Sequence, residues 1–343
     1  MKSNIKNIFI FKNRGLGDAI LGLSSVAWLK SIYPYAKVVY GVPHWVHPLF
    51  TEVKTLCDEI IPLKLEGISD FFDFYKFFNE RRFDLILELH QTGRSKIFFN
   101  TFGRLIQTKY FYHNHHIKND KENFILDQGV TKPNIQRDLD GVYSAIKYIE
   151  GSVELPIPYY LQWLPQVSIE PRNPNGDIVL GVVATRQAKM WPLEYYAILL
   201  GMIKNKGFSK KILIPVSNEP KDRVIQEALI KIGLPANAEF VQCSLRELPE
   251  NIKNASIYIG NDTGLKHLCA SFGMDTYTFF GPEEPLEWHP YDPKKHRYFF
   301  LEKMPCRTRQ GGFCGESHCT NHFCLKEIKP DYVLSELHPS IWT

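Results

Sequence analysis

Residues 5–30 read IKNIFIFKNRGLGDAILGLSSVAWLK, and this stretch decides the fold class. An apolar run bounded by charge, Ile5 to Phe11, predicts a buried strand. A glycine turn follows at Asn13 to Asp18, and the apolar residues of Ala19 to Lys30 recur at helical spacing. Strand, turn and helix in this order form the opening unit of an α/β domain with a parallel sheet.

The same alternation continues along the first half and restarts in the second. The predicted strands are Lys37–Gly41, Phe83–Glu88, Asp177–Val183, Lys211–Pro215, Ile257–Gly260 and Asp275–Phe280, and the predicted helices are Phe71–Arg81, Leu193–Lys206, Pro220–Ile232 and one beginning near Thr263. A proline-dense stretch from Leu155 to Asp177 indicates the domain linker. The pattern predicts an α/β protein with two Rossmann-like domains facing each other across a cleft, residues 1–164 and 165–343.

Composition narrows the class of protein. The 343 residues suit two domains of about 150 residues each. The charge balance is 41 Lys+Arg against 37 Asp+Glu, and a net charge of +4 does not argue for a nucleic-acid partner. The uncharged run Ala19 to Leu29 is 11 residues long, well short of the ~20 that span a bilayer. The N-terminus shows no apolar signal-peptide region, so we expect a cytoplasmic protein.

The charge is unevenly distributed. Arg94 to Lys118 contains five Lys or Arg, three His and no acidic residue. This block favours an anionic partner, such as a phosphorylated lipid or an acidic membrane face, with a solvated basic surface as an equal alternative. The aromatic segment Phe71 to Phe78 would meet the same partner or, as its helical spacing favours, form the core face of a helix.

Three turns carry residues suited to chemistry. In Gly15-Leu16-Gly17-Asp18, two glycines allow close backbone approach and a carboxylate begins a helix; helix capping by Asp18 is the alternative. Asp262-Thr263-Gly264 opens a later helix, whose free N–H groups suit a phosphate. Capping of the helix by Asp262 or Thr263 is the alternative, and it is compatible with phosphate binding. His267 lies one turn further in, where a packed core histidine is the commoner case. Lys189, before Pro192, can place a point charge on a phosphate.

Together these turns resemble glycosyltransferase family 9, the heptosyltransferases. The resemblance rests on G-L-G-D at Gly15–Asp18, D-T-G-x-x-H-L-x-A-x-x-G at Asp262–Gly273 and F-G-P-x-x-P-x-x-W-x-P-Y at Phe280–Tyr291. It implies a GT-B fold in which the N-terminal domain holds the acceptor and the C-terminal domain holds ADP-heptose. It also implies an acceptor that is a lipid-linked anionic glycan of the lipopolysaccharide core, met at the inner face of the cytoplasmic membrane.

The resemblance further implies roles for individual residues. Asp18 would be the general base of an inverting transfer that requires no cofactor. The acceptor side would comprise Gly15, Gly17, Arg94 and Ser95, and the donor side would comprise Lys189, Asp262, Thr263, Gly264 and His267. Two alternatives remain open: a GT-B transferase with another nucleotide sugar or a protein acceptor, and a non-catalytic nucleotide-sugar or glycan-binding protein.

A cysteine cluster lies near the C-terminus, in the segment 306–324. Cys306, Cys314, Cys319 and Cys324 follow the spacing C-x7-C-x4-C-x4-C. This is only a partial match to a structural zinc site, whose cysteines usually come in C-x2-C pairs. The cluster predicts either a structural metal or a group of reduced cysteines, and the segment after it could return to the N-terminal domain.

Overall fold

The computed structural model describes residues 4–113, 132–308, 314 and 319–338. The chain divides into two compact units, Met1–Gln166 and Val167–Thr343. Each unit is built on one all-parallel sheet with helices packed on it, as the alternation of elements predicts. None of the helices in the described ranges is long and apolar enough to cross a membrane.

The first unit contains a five-stranded sheet in the order β3-β2-β1-β4-β5. Its strands are β1 Asn7–Phe11, β2 Lys37–Pro43, β3 Glu59–Leu63, β4 Leu85–Glu88 and β5 Lys109–Tyr112; its helices are α1 Leu16–Leu21, α2 Leu23–Ile32, α3 Ile68–Arg81, α4 Gly93–Ile106 and α5 Asn134–Glu150. Residues 114–131, including Lys118 of the basic block, lie outside the described ranges.

The second unit contains a six-stranded sheet in the order β11-β10-β9-β6-β7-β8. Its strands are β6 Ile178–Gly181, β7 Ile212–Val216, β8 Ala238–Gln242, β9 Ile257–Asn261, β10 Asp275–Phe279 and β11 His296–Phe299; its helices are α6 Leu193–Asn205, α7 Pro220–Ile232, α8 Leu248–Ile252, α9 Gly264–Ser271, α10 Pro285–Trp288, α11 Phe323–Lys326 and α12 Pro330–Glu336. The C-terminal segment packs through α12 on α6 of its own unit as far as it is described.

Each sheet reverses its strand order at one place. In the first unit the reversal lies between β1 and β4, and in the second it lies between β6 and β9. Connections leave on opposite sides of such a switch point, so a crevice opens beyond the carboxyl ends of the two central strands. The motif turns follow β1, β6 and β9, which brings each of them to one of these two crevices.

The helix predicted from Ala19 to Lys30 is two helices. α1 begins earlier, at Leu16, and α2 begins after a break at Gly22. The Tyr40 hydroxyl donates to the Ala19 carbonyl at 2.8 Å, and a Cβ at Gly22 would lie 2.2 Å from that hydroxyl oxygen. The close approach of Tyr40 therefore requires glycine, and the early start of α1 puts Asp18 in its first turn.

The aromatic helix belongs to the core of the first unit. Phe74 and Phe78 of α3 are buried in one apolar cluster with Phe9, Phe98 and their neighbours. Among the aromatic residues of the segment 71–78, only Phe72 is exposed. The core interpretation of this segment is therefore confirmed for Phe74 and Phe78, because their buried rings are not available to a partner.

Candidate active site

Asp18 lies at the switch point of the first sheet. Its Oδ1 is 3.3 Å from Lys12 Nζ, and its Oδ2 is 4.0 Å from Arg14 Nε. The Gly15 N–H donates a long hydrogen bond of 3.4 Å to Oδ2, so Asp18 also closes the start of α1. Its side chain is 14% exposed. The carboxylate is thus held by two cations while one edge stays open to solvent.

A buried ion pair lies behind Asp18. Lys12 Nζ is 2.7 Å from Asp138 Oδ2, and both side chains are almost fully buried. Asp138 comes from α5, 126 residues further along the chain, so neither motif nor spacing indicates the contact. Lys12 is bonded to two carboxylates at once, a geometry in which it neutralises only one of them.

The start of α4 is anchored to the end of β4. The Ser95 hydroxyl lies 2.5 Å from Glu88 Oε1, and the Thr92 hydroxyl accepts from the Ser95 N–H at 3.2 Å. Burial raises the pKa of Glu88 to about 8, against hydrogen bonds from Ser95 and Tyr110 that lower it. Ser95, predicted to bind the acceptor, is fully buried and positions this helix start, whereas Arg94 beside it is exposed.

Arg14 and His90 form a contact that motif reasoning missed. Arg14 Nη1 lies 2.6 Å from His90 Nε2, which accepts when the other ring nitrogen carries the proton. Arg14 stays 43% exposed beside Asp18. Its place inside the glycine turn was the available signal, since a cation beside a base can bind an anionic group of the acceptor.

Asp262 lies at the switch point of the second sheet, between two lysines. Its Oδ2 is 2.8 Å from Lys189 Nζ and its Oδ1 is 2.7 Å from Lys266 Nζ. Burial alone would raise the pKa of Asp262, but the charges of Lys266 and Lys189 outweigh it and hold that pKa well below its usual value. Burial lowers the pKa of Lys266 to about 8, although Asp262 opposes the shift.

Asn261 joins the two turns of this site. Its Oδ1 accepts from the Trp191 N–H at 2.9 Å, and its Nδ2 donates to the Val182 carbonyl at 2.8 Å. The amide therefore ties the end of β9 to the end of β6 and to the segment after Lys189. Sequence reasoning passed over Asn261, although a polar residue ending a buried strand was the signal, because such a residue needs partners.

Thr263 and Gly264 open α9 beside Asp262. Thr263 is the N-cap residue, yet its side chain makes no capping hydrogen bond to the helix. The first N–H groups of α9 are thus not taken by that side chain, and such groups suit an anion. His267, one turn further in, is buried, with its Nδ1 2.5 Å from the Tyr291 hydroxyl. Burial lowers its pKa well below the usual value, so the ring is neutral and supports the turn from beneath.

The four clustered cysteines line one cavity of about 520 Å³ in the second unit, together with Gly281, Pro282 and Phe323 among others. None of these four cysteines forms a disulfide bond in the described ranges. Across the described ranges, no three His, Cys, Asp or Glu side chains are placed to hold a metal ion. Arg307 joins the cluster to the loop after β10, donating to the Gly281 carbonyl at 2.9 Å. The structural metal stays a prediction, which elemental analysis of protein purified without chelator tests.

Known proteins are similar to this chain in sequence and in fold. The chain is 23% identical to lipooligosaccharide heptosyltransferase 2 of Haemophilus ducreyi, over 96% of this chain and 98% of the relative. It is 25% identical to lipopolysaccharide heptosyltransferase 2 of Salmonella typhimurium, over 94% of this chain and 95% of the relative. The solved structure of the E. coli ADP-heptose lipopolysaccharide heptosyltransferase II has a TM-score of 0.69 at 20% identity, over 100% of this chain and 98% of that one.

The structural likeness confirms the predicted α/β GT-B fold class. The family model described as glycosyltransferase family 9 (heptosyltransferase) matches residues 74–313, more than half of the chain. That span includes Lys189 and the whole turn after β9. The chain is therefore a glycosyltransferase and belongs to glycosyltransferase family 9, the heptosyltransferase family.

Proposed function

We propose that this protein transfers heptose from ADP-heptose to an acceptor of the lipopolysaccharide core, with inversion and with Asp18 as general base. The observation that carries the proposal is the Asp18 carboxylate, held at a switch point by Lys12 and Arg14 and still open to solvent. The named relatives act in lipopolysaccharide or lipooligosaccharide synthesis, which supports the class of acceptor.

The chemistry demands a base and a stabilised leaving group. An alcohol is a poor nucleophile until its proton is being removed, and Asp18 takes that proton as the acceptor oxygen attacks the anomeric carbon. The bond from that carbon to the diphosphate breaks, and ADP leaves with the electron pair. Lys189 and the first N–H groups of α9 stabilise the charge that grows on the diphosphate. A single displacement of this kind inverts the anomeric carbon.

The ion pairs of the second unit favour transfer without a divalent metal. A metal bound to a diphosphate needs carboxylate oxygens, yet both oxygens of Asp262 are already bonded to Lys189 and Lys266. Two ammonium groups against one carboxylate leave a net positive charge, and Lys189, whose side chain is 15% exposed, presents that charge to the diphosphate. We therefore place the donor diphosphate against Lys189, Thr263 and Gly264, with His267 supporting the turn.

The test is ADP release from ADP-heptose with a heptose-deficient lipopolysaccharide as acceptor. We expect release that depends on the acceptor, continues in EDTA within about twofold, and yields a product of inverted anomeric configuration. UDP-glucose replaces the donor in the matched control. Release only from another nucleotide sugar would establish a different transferase, and binding of ADP-heptose without release to any acceptor would favour a non-catalytic binding protein.

We further propose that α4 meets the anionic membrane that carries the acceptor. Its outer face shows cationic and apolar side chains together, Arg94, Lys96, Ile97, Arg104 and Leu105, all exposed. Phe72 of α3 extends this face, since its exposed ring packs edge-on against Phe102 of α4. No acidic residue lies between Leu89 and His113 to oppose the attraction. Such a face suits the surface of a bilayer rich in anionic lipid.

Removing two of these charges is expected to weaken binding to anionic vesicles. Lys96→Gln with Arg104→Gln should raise the dissociation constant about 30-fold for phosphatidylglycerol vesicles, since each cation contributes about 1 kcal/mol near such a surface. Lys221→Gln with Lys231→Gln, on α7 of the second unit, is the charge-matched control. Sedimentation with vesicles measures both, and equal losses in the two double variants would contradict the proposed face.

A further inference from the structure

We propose that Lys12 and Asp138 are positioning residues for Asp18. The Asp138 and Asp18 carboxylates share the single positive charge of Lys12, and this sharing sets the pH range in which Asp18 acts as base. The proposal rests on the proposed role of Asp18. Lys12 Nζ lies 2.7 Å from Asp138 Oδ2 and 3.3 Å from Asp18 Oδ1. One cation therefore faces two carboxylates, one fully enclosed and one open to solvent on one edge.

Two further cations lie near the triad of Lys12, Asp138 and Asp18. From α5, Arg137 adds a second cation near Asp138, and from the turn after β1, Arg14 lies beside Asp18. Tyr40 of β2 stays protonated because burial raises its pKa well above the usual value. His113, after β5, is neutral because burial lowers its pKa to about 4. His90, after β4, lies 2.6 Å from Arg14 Nη1 through its Nε2, which accepts when the other ring nitrogen carries the proton.

The two partners of Lys12 differ in their surroundings. Burial raises the pKa of Asp138 to about 6, against the charge of Lys12, which lowers it. Burial would lower the pKa of Lys12, but the charges of Asp138 and Asp18 outweigh burial and raise it. Lys12 is therefore protonated throughout the neutral range, and above about pH 6 the enclosed Asp138 carboxylate balances it.

This sharing matters for the transfer step. A carboxylate locked alone to a buried lysine holds its negative charge too firmly to take a proton. Here Asp138 keeps Lys12 neutralised after Asp18 takes the proton of the acceptor hydroxyl, so the reaction leaves no unpaired buried charge. The acceptor O–H bond breaks, the glycosidic bond forms, and ADP departs with the electron pair, while Lys12 and Asp138 keep their own protonation states.

The two positions predict opposite changes in the pH profile. Asp138→Asn leaves Lys12 to Asp18 alone, so the acid limb of kcat/KM should move to lower pH by about one unit, with a fall in kcat. Lys12→Met removes the cation that stabilises the ionised base, so the base takes up a proton more easily. The acid limb of kcat/KM should then move to higher pH by a similar amount. Lys30→Met breaks the separate Lys30–Asp58 pair of the same unit and should leave the limb in place.

Lys12→Met alone leaves Asp138 enclosed without its cation and is expected to fold less well. The double variant Lys12→Met with Asp138→Asn removes both charges and should show the limb at higher pH than Asp138→Asn alone. Identical limbs in wild type, Asp138→Asn and the double variant would overturn the sharing of charge while Asp18 remains the base. Full activity of Asp18→Asn would instead overturn the proposed function itself.

Discussion

Asp18→Asn is expected to lower kcat for heptose transfer by about 10²- to 10⁴-fold, the usual contribution of a general base. The amide has nearly the shape of the carboxylate and can still accept from the Gly15 N–H, so the start of α1 survives. It cannot take the proton of the acceptor hydroxyl. Donor binding, assigned here to the second unit, should be unchanged, so isothermal titration with ADP-heptose separates lost chemistry from lost folding.

Asp70→Asn is the matched control for this substitution. Asp70 occupies the same third position of α3 and accepts from the Gly67 N–H at 2.9 Å, as Asp18 does in α1. It has no part in the proposed chemistry, so its variant should keep kcat within about twofold. Equal losses in the two variants would show that helix capping explains the result, and an unimpaired Asp18→Asn would remove Asp18 as base.

Asp262→Asn is expected to destabilise the second unit by about 3–5 kcal/mol, as breaking a buried ion pair does. Lys266 has no exposed side-chain surface and Asp262 is 4% exposed, so the lysine cannot recover its lost partner from water. For a unit of this size the loss corresponds to a fall in Tm of roughly 6–20 °C. Scanning calorimetry measures it, and the weakened hold on Lys189 should also reduce ADP-heptose affinity.

Two control variants test whether the loss of stability in Asp262→Asn comes from the burial of its ion pair and from the unpaired charge of Lys266. Glu239→Gln breaks an exposed pair with Lys211 in the same unit and should cost less than about 1 kcal/mol. Asp262→Asn combined with Lys266→Met removes both charges and should recover part of the lost stability. A double variant no more stable than Asp262→Asn alone would contradict the uncompensated Lys266 charge as the cause.

The stability of the protein at low pH depends on the same ion pairs of Asp262. Despite burial, the charges of Lys266 and Lys189 hold the pKa of Asp262 in the folded protein below the usual aspartate value of about 3.9. Its contribution to stability is therefore present above about pH 4 and is lost as the pH falls further. The stability difference between wild type and Asp262→Asn should narrow below pH 4, and urea titrations at pH 3 and pH 7 measure it.

The sequence predicted the bounds of an element most accurately where several local signals agree. Pro220–Ile232 was predicted with the bounds that α7 has, because apolar spacing, an opening proline and a following glycine all agree. The sequence analysis missed β3, β5, β8 and β11. Each of these strands has at least two residues that are only half-buried or exposed, so each lacks the continuous buried run that marked β1. The long helix α5 was missed as well, although it supplies Asp138 to the site.

Local sequence by itself determined the two α/β units, the turns after β1, β6 and β9, and the residues those turns carry. Tertiary structure alone decided which residues meet. Strand order brings Lys189 to Asp262 across 73 residues, and the packing of α5 brings Asp138 to Lys12 across 126. The physical reason is that periodicity records only which face of an element is buried. Ion pairs between elements depend on sheet order and helix packing, which are set by contacts far apart in the chain.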